Sequence, residues 1–421
     1  MKVVIRKSEV AGSVSAPPSK SITHRALVCS SLAPGKSLVR SPLRSDDTEA
    51  ALRVLQELGT GCSDGPDLWD IRGGSLRAPG SDLYCGESGT TLRFVTALCS
   101  LVDGECNLTG GPSLSKRPVE PLLEALRQLG VKCESTGGYP PVKVNGTGRI
   151  GGGDVEIRGD VSSQFVSALL FVAPFGDDSI RIKTTTPLES KPYVMMTMDT
   201  QRMFGVVVEA SEDMREYQVE GQTYRPAEVT VEGDWSSAAY LLAAGALSGE
   251  VSVDNLNLES SQADRTILDI IRAMGAQVKV RKNSCCVERS ELEALEVDLS
   301  DSPDLFPVTA SLCAAASGHS VLRGLGRLRF KESDRVAAMT EGLREMGIKV
   351  RRGDDSLMIE GGSPHGGRID PHQDHRIAMA LSVLGMVAKG ETTILDADCV
   401  SKSYPMFWDD MERIGADIGG E

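Results

Sequence analysis

The chain has 421 residues, 40% of them hydrophobic, which is enough for two or three domains with full cores. It carries 45 basic against 59 acidic side chains, a net charge of −14, with only 4% aromatic residues; this balance excludes the basic face and stacking platforms of a nucleic-acid binder. Its longest mostly apolar runs, near 165–175 and 377–388, fall short of the roughly 18 residues that a membrane span needs.

In chain order, the first dozen residues alternate around Val3 and Ile5 and predict a strand open to either half of the molecule. Pro17-Pro18 then marks an extended stretch. From there one pattern recurs six times: an apolar helix, a glycine, and a short β-like run. Its glycines are Gly35, Gly104, Gly176, Gly249, Gly318 and Gly390, spaced 69 to 73 residues apart. A second pattern keeps phase with the first, a helix ending in glycine and leading into a strand, at Gly59, Gly130, Gly205, Gly275, Gly347 and Gly415. Glycine just past a helix end accepts the left-handed conformation that a Cβ penalises. Ordinary α/β punctuation would not hold one period along the whole chain. Six units of two helices each divide most simply into two domains of three. Residues 222–231, GQTYRPAEVTV with the residue before them, lack helical periodicity and predict where the halves meet.

The segment before each unit's first helix is rich in Ser, Thr, Asp and Gly: PPSKSITHRAL, CGESGTTLRF, GDVSSQFVSAL, GDWSSAAYLLAA, DSPDLFPVTAS and DPHQDHRIAMAL. N-capping accounts for those residue types. It does not account for Lys20, Arg25, Arg93 and Arg376, cations near helix starts where the dipole favours anions. An external phosphate or carboxylate seated on the free N–H groups would explain them. SLSKRPVEP adds Arg117, RLRFKESDRVAAM adds Lys331, Glu332 and Arg335, and CVSKSYPMF adds Lys402. Gly35-Lys36-Ser37 lacks the first glycine of a phosphate-binding loop, and Gly146–Gly151 is not followed by a helix, so neither motif is accepted. His372 and His375 have chelating spacing but no third ligand, and no metal is expected.

Together PPSKSITHRAL, GESGTTLRF, GGPSLSKRPVEPL, GDVSSQF, SKPY, FKESDR, QDHRIAMA and SKSYPMF, in order along nearly the whole chain, resemble the 5-enolpyruvylshikimate-3-phosphate (EPSP) synthase family. The resemblance implies an α/β fold of two similar domains. Each would contain three βαβαββ repeats in an inside-out barrel-like arrangement, with the active site in the interdomain cleft. It implies domains at 14–226 and at 1–13 plus 227–421. It also implies transfer of the enolpyruvyl group of phosphoenolpyruvate to the 5-hydroxyl of shikimate 3-phosphate, with release of phosphate.

By motif match, Asp304 engages the attacking hydroxyl, Glu332 exchanges a proton with the methylene carbon, and Lys20 and Lys402 assist. Shikimate 3-phosphate falls to Lys20, Ser21, Arg25, Ser162, Ser163, Gln164, Ser190, Tyr193, Asp304 and Lys331. Phosphoenolpyruvate falls to Lys20, Gly89, Arg93, Arg117, Gln164, Arg335, Arg376 and Lys402. Glu87 departs from the asparagine common in the family and would repel an anion unless it turns away or pairs with a cation.

No cofactor, nucleic acid or membrane partner is implied. Ten cysteines without a repeated C-x-x-C pair, and an N-terminus without a secretory core, point to a cytoplasmic protein, expected as a monomer. Two alternatives remain. The sibling enolpyruvyl transferase acting on UDP-N-acetylglucosamine has Asn after its first Lys and a Cys before its Arg-Pro pair; here Ser21 follows Lys20 and Gly110–Pro118 has no Cys. The other is a non-catalytic binder of phosphorylated metabolites, against which Asp304 and Glu332 argue.

Overall fold

The computed structural model describes residues 1–420. Among the described residues twelve α-helices occur in the two alternating series that the glycines predict. They are α1 Lys20–Leu32, α2 Asp46–Glu57, α3 Gly89–Leu98, α4 Glu120–Gln128, α5 Ser163–Val172, α6 Lys191–Met203, α7 Trp235–Ser248, α8 Ile267–Ala273, α9 Phe306–Ala315, α10 Arg335–Glu345, α11 His375–Gly385 and α12 Phe407–Arg413.

Odd-numbered helices are the inner ones. Every residue of α7 is buried, which follows from a sequence, WSSAAYLLAAGALS, with no charged position on any face. Even-numbered helices are two-faced. In α2 the residues Ala50, Ala51, Leu52, Val54 and Leu55 are buried while Glu57 is exposed. Fully burying one such leucine stabilises by about 1.5–3 kcal/mol.

Among the described residues the strands form six four-stranded sheets of one design. The strand after an odd-numbered helix lies between a parallel neighbour and an antiparallel one, and the latter pairs with the strand after the next helix. Gly35–Arg40 shows the pattern: it runs parallel to Glu228–Thr230 and antiparallel to Leu68–Gly73, which pairs with Gly61–Asp64. The glycines past the even-numbered helices all have positive φ, from 78° at Gly347 to 101° at Gly59. The other series is mixed. Gly249 is extended, and it is required for a different reason: a Cβ there would lie 1.7 Å from the Val10 carbonyl oxygen. Gly35–Ser37 opens a strand, and Gly146–Gly151 runs from the end of the strand Tyr139–Thr147 into a loop, so neither phosphate-loop look-alike leads into a helix.

The chain divides into two compact units, Pro18–Val231 and Met1–Pro17 with the chain from Glu232 onward. Each has its own apolar core. The crossings lie a few residues beyond 14 and 227, because strand pairing decides them. Ala11–Ser15 pairs in register with Glu250–Asp254, and Glu228–Thr230 pairs with Leu38–Arg40. The first strand, Val3–Arg6, joins the sheet of the last repeat between Thr392–Ile394 and Asp417–Gly420.

Candidate functional site

In the Pro18–Val231 unit, helices α1, α3 and α5 begin side by side. The Gln164 amide donates to the Thr90 hydroxyl at 2.8 Å, and its carbonyl oxygen accepts from Arg93 Nη1 at 2.6 Å. Arg93 also reaches the hydroxyl of Ser162, the N-cap of α5, at 3.4 Å, and its guanidinium lies 5.1 Å from the Phe165 ring centre. Lys20, the first residue of α1, donates to Asp47 at 3.0 Å. His24 sits behind them. Burial pushes its pKa down to about 4, so the ring is neutral at physiological pH. Its Nδ1 faces the Lys20 carbonyl at 3.0 Å and must carry the proton, because a carbonyl only accepts.

Arg25 is buried and donates from all three nitrogens, to the Thr197 hydroxyl and to the Ser21 and Tyr193 carbonyls, each at 2.8 Å. Burial lowers its pKa to about 10. Ser190, the N-cap of α6, has φ 54° and ψ 45°, an uncommon backbone state for a residue with a side chain and one that collects at functional positions.

Arg117 lies against the start of α3. A Cβ on Gly89 would come within 2.7 Å of Arg117 Nη1, so the guanidinium needs the bare backbone there. The Glu87 carboxylate accepts the Leu114 N–H at 2.8 Å, at the start of the short turn Leu114–Lys116 that leads into Arg117. It lies close over Gly111, where a Cβ would stand 2.2 Å from Oε1.

In the other unit, three acids converge on Arg335, the first residue of α10. It donates to Asp304 at 2.8 Å, to Glu332 at 2.6 Å and to Asp374 at 2.9 Å. Asp304 also accepts from Arg376 at 2.9 Å and from Lys331 at 3.5 Å. Burial opposes the Asp304 charge, but Arg376, Lys331 and Arg335 hold the carboxyl well below the usual range. Burial likewise opposes the Arg335 charge, and Asp374, Glu332 and Asp304 overcome it and raise the pKa. Lys331 goes the other way: burial lowers it to about 8 against the pull of Asp304. Asp374 has a second role as the N-cap of α11, accepting the Arg376 N–H at 3.0 Å. Lys402 donates to the Gln373 carbonyl at 2.7 Å, in a turn where both His372 and Gln373 have positive φ.

The EPSP synthase (3-phosphoshikimate 1-carboxyvinyltransferase) family pattern matches residues 4–411. The chain belongs to the EPSP synthase family. It is 44% identical, with both chains covered completely, to the 3-phosphoshikimate 1-carboxyvinyltransferase of Methanocorpusculum labreanum. It is 42% identical to that of Dehalococcoides mccartyi, with 99% of each chain covered. Among solved structures it superposes on an EPSP synthase from Acinetobacter baumannii with a TM-score of 0.83 at 27% identity, covering 99% of each chain. The enolpyruvyl transferase NikO of Streptomyces tendae, at 17% identity and TM-score 0.81 over 99% of this chain and 98% of its own, shares the fold.

The expected EPSP synthase residues thus fall into two groups. Lys20, Ser21, Arg25, Gly89, Arg93, Arg117, Ser162, Ser163, Gln164, Ser190 and Tyr193 lie in the first unit. Asp304, Lys331, Glu332, Arg335, Arg376 and Lys402 lie in the second. Asp304, Glu332 and Asp374 offset part of the cost of gathering cations within the second unit. The sequence patterns missed Asp47, Thr90, Thr197 and Asp374 as partners of site residues. Asp374 had a signal, since it sits in the quoted helix start QDHRIAMA; Asp47 and Thr197 had none, because they reach Lys20 and Arg25 from other helices.

Proposed function

We propose that these two groups of residues carry out enolpyruvyl transfer from phosphoenolpyruvate to the 5-hydroxyl of shikimate 3-phosphate. Full-length membership of the EPSP synthase family supports the reaction. The observation that carries the residue assignment is Arg335 holding Asp304, Glu332 and Asp374 within hydrogen-bond distance.

Shikimate 3-phosphate is assigned to Lys20, Ser21, Arg25, Ser162, Ser163, Gln164, Ser190, Tyr193, Asp304 and Lys331. Phosphoenolpyruvate is assigned to Lys20, Gly89, Arg93, Arg117, Gln164, Arg335, Arg376 and Lys402. Arginine suits both ligands because its planar fork matches carboxylate and phosphate. The hydroxyl oxygen adds to C2 of phosphoenolpyruvate, its proton leaves to Asp304, and Glu332 delivers a proton to C3. The tetrahedral adduct then expels phosphate and returns the C3 proton to Glu332. Lys20 and Lys402 neutralise the charge that develops.

Three cations bind Asp304 and make it a weak base. Substrate anions that draw Arg335 and Arg376 away raise its basicity at the moment it is needed. Among the described residues no helix is long and apolar enough to cross a membrane; a monomeric cytoplasmic enzyme fits the reading.

The test is phosphate release measured with both substrates together and with each alone. Release should require both. Glu332→Gln should retain binding of shikimate 3-phosphate and lose at least about a hundredfold in kcat, the low end for a general acid–base group. Turnover unchanged in Glu332→Gln removes the proton-transfer assignment. Turnover with UDP-N-acetylglucosamine in place of shikimate 3-phosphate would redirect the acceptor.

A further inference from the structure

Asp264 belongs to no motif and to no assignment above, yet it is a buried carboxyl close to the charged cluster of the second unit. It lies in the short turn Ala263–Thr266 and is 2% exposed. One oxygen, Oδ2, hydrogen-bonds the Ser236 hydroxyl in the first turn of α7. The other, Oδ1, is buried with no hydrogen-bond partner. The turn is tied on its far side to the Asp304 segment, because the Thr266 hydroxyl meets the Ser302 hydroxyl at 3.4 Å and Ser302 opens the turn that presents Asp304.

The charges around it decide its state. From α7 it faces Asp234, the N-cap, whose oxygens are taken by the Ser236 N–H at 3.2 Å and the Ser237 hydroxyl at 3.0 Å. The negative charge of Asp304, in the neighbouring turn, and the positive charge of Arg376, on α11, both act on it. Within its own turn Arg265 reaches the Leu258 carbonyl. On the adjoining α8, Asp269 is exposed and paired with Arg272. Two buried carboxyls, Asp264 and Asp304, therefore share one nearby cation, and Asp304 already bonds three. In a dry site such a pair does not ionise together at low cost. The carboxyl with a single neutral partner keeps the proton.

We infer that Asp264 is a positioning residue for the transfer reaction, a neutral carboxyl that leaves Arg376 and Asp304 to the substrates and disables them when it ionises. Burial first, and then Asp304, lift its pKa to about 7, which places the change within the working range. Once ionised, Asp264 competes for Arg376 and adds a negative charge beside a site assigned to phosphoenolpyruvate. The inference rests on that assignment.

The experiment is the pH profile of kcat/KM for phosphoenolpyruvate, from pH 6 to 9.5, in the wild type and in Asp264→Asn. The substrate phosphate, with a second pKa near about 6, is already dianionic over most of this range. The wild type should fall about tenfold per pH unit above its alkaline pKa near 7. In Asp264→Asn that limb should move up by about a unit, to where Lys331, lowered to about 8, loses its own charge. The fall should appear in KM for phosphoenolpyruvate more than in kcat. An identical alkaline limb in both proteins overturns the inference.

Should the variant not fold, aspartate-labelled wild type answers by carbon NMR. One carboxyl resonance should titrate near neutrality, and its absence is equally decisive against the inference. Phosphate release at pH 6.5 tests the assigned reaction separately, so loss of one conclusion is distinguishable from loss of the other.

Discussion

Two aspartates in one unit show how much a residue's chemistry depends on its neighbours. Asp304 bonds Arg335, Arg376 and Lys331 and is held ionised, while Asp264, with one hydroxyl partner, keeps its proton to about pH 7. The side chains are the same, and the inventory of nearby donors separates them. Glu87 makes the same point for the departure from the family pattern. Its carboxylate accepts the Leu114 N–H and so braces the turn that aims Arg117 at Gly89. Glu87→Ala should therefore raise KM for phosphoenolpyruvate about tenfold, the equivalent of one charge-assisted hydrogen bond, with little change in KM for shikimate 3-phosphate. Glu87→Gln, which keeps an acceptor for the Leu114 N–H, should stay within about threefold of the wild type. Equal KM values in all three proteins would show that the brace has no effect on the Arg117 turn.

At the scale of elements, the repeat is built from helix ends. N-caps such as Ser88, Ser162, Asp234 and Asp374 start the inner helices, and glycines stop the outer ones. These signals were visible in the sequence because they act within a few residues: a cap bonds the next turn, and a left-handed glycine is a local torsional requirement. The glycines are nevertheless not equivalent. Gly130 has φ 80° and open space around it, whereas Gly347, at φ 78°, would place a Cβ 2.5 Å from the His365 ring. Alanine at Gly130 should cost about 1–2 kcal/mol for the torsion alone. Alanine at Gly347 should cost more, because the ring must also move. Urea denaturation checks this; equal midpoints for the two variants would mean that His365 gives way without cost.

At the scale of the whole chain, the strands that precede α1 and α7 are exchanged. In the other four repeats the strand before the inner helix pairs within its own repeat. Here Ala11–Ser15 pairs with Glu250–Asp254, and Glu228–Thr230 pairs with Leu38–Arg40. The first strand is equally non-local, since Val3–Arg6 is hydrogen-bonded on both sides by strands from the end of the chain. Deleting residues 1–6 should therefore remove a central strand and destabilise the unit containing α7 to α12. The Pro18–Val231 unit, which keeps every one of its strands, should retain its own unfolding transition. Calorimetry separates the two; loss of both transitions together would show that the units do not unfold independently.

The sequence by itself determined the six-fold period, the α/β class, the family resemblance and the motifs that contain most of the candidate residues. Each of these is written in short-range patterns of capping, glycine placement and apolar spacing. Only the tertiary structure decided which strands change units and where the crossings fall. Tertiary structure also decided that Arg335 gathers Asp304, Glu332 and Asp374, and that Asp264 lies beside them. Those outcomes depend on pairing and desolvation between residues far apart in the chain. Local sequence patterns carry no record of which distant groups will be buried together.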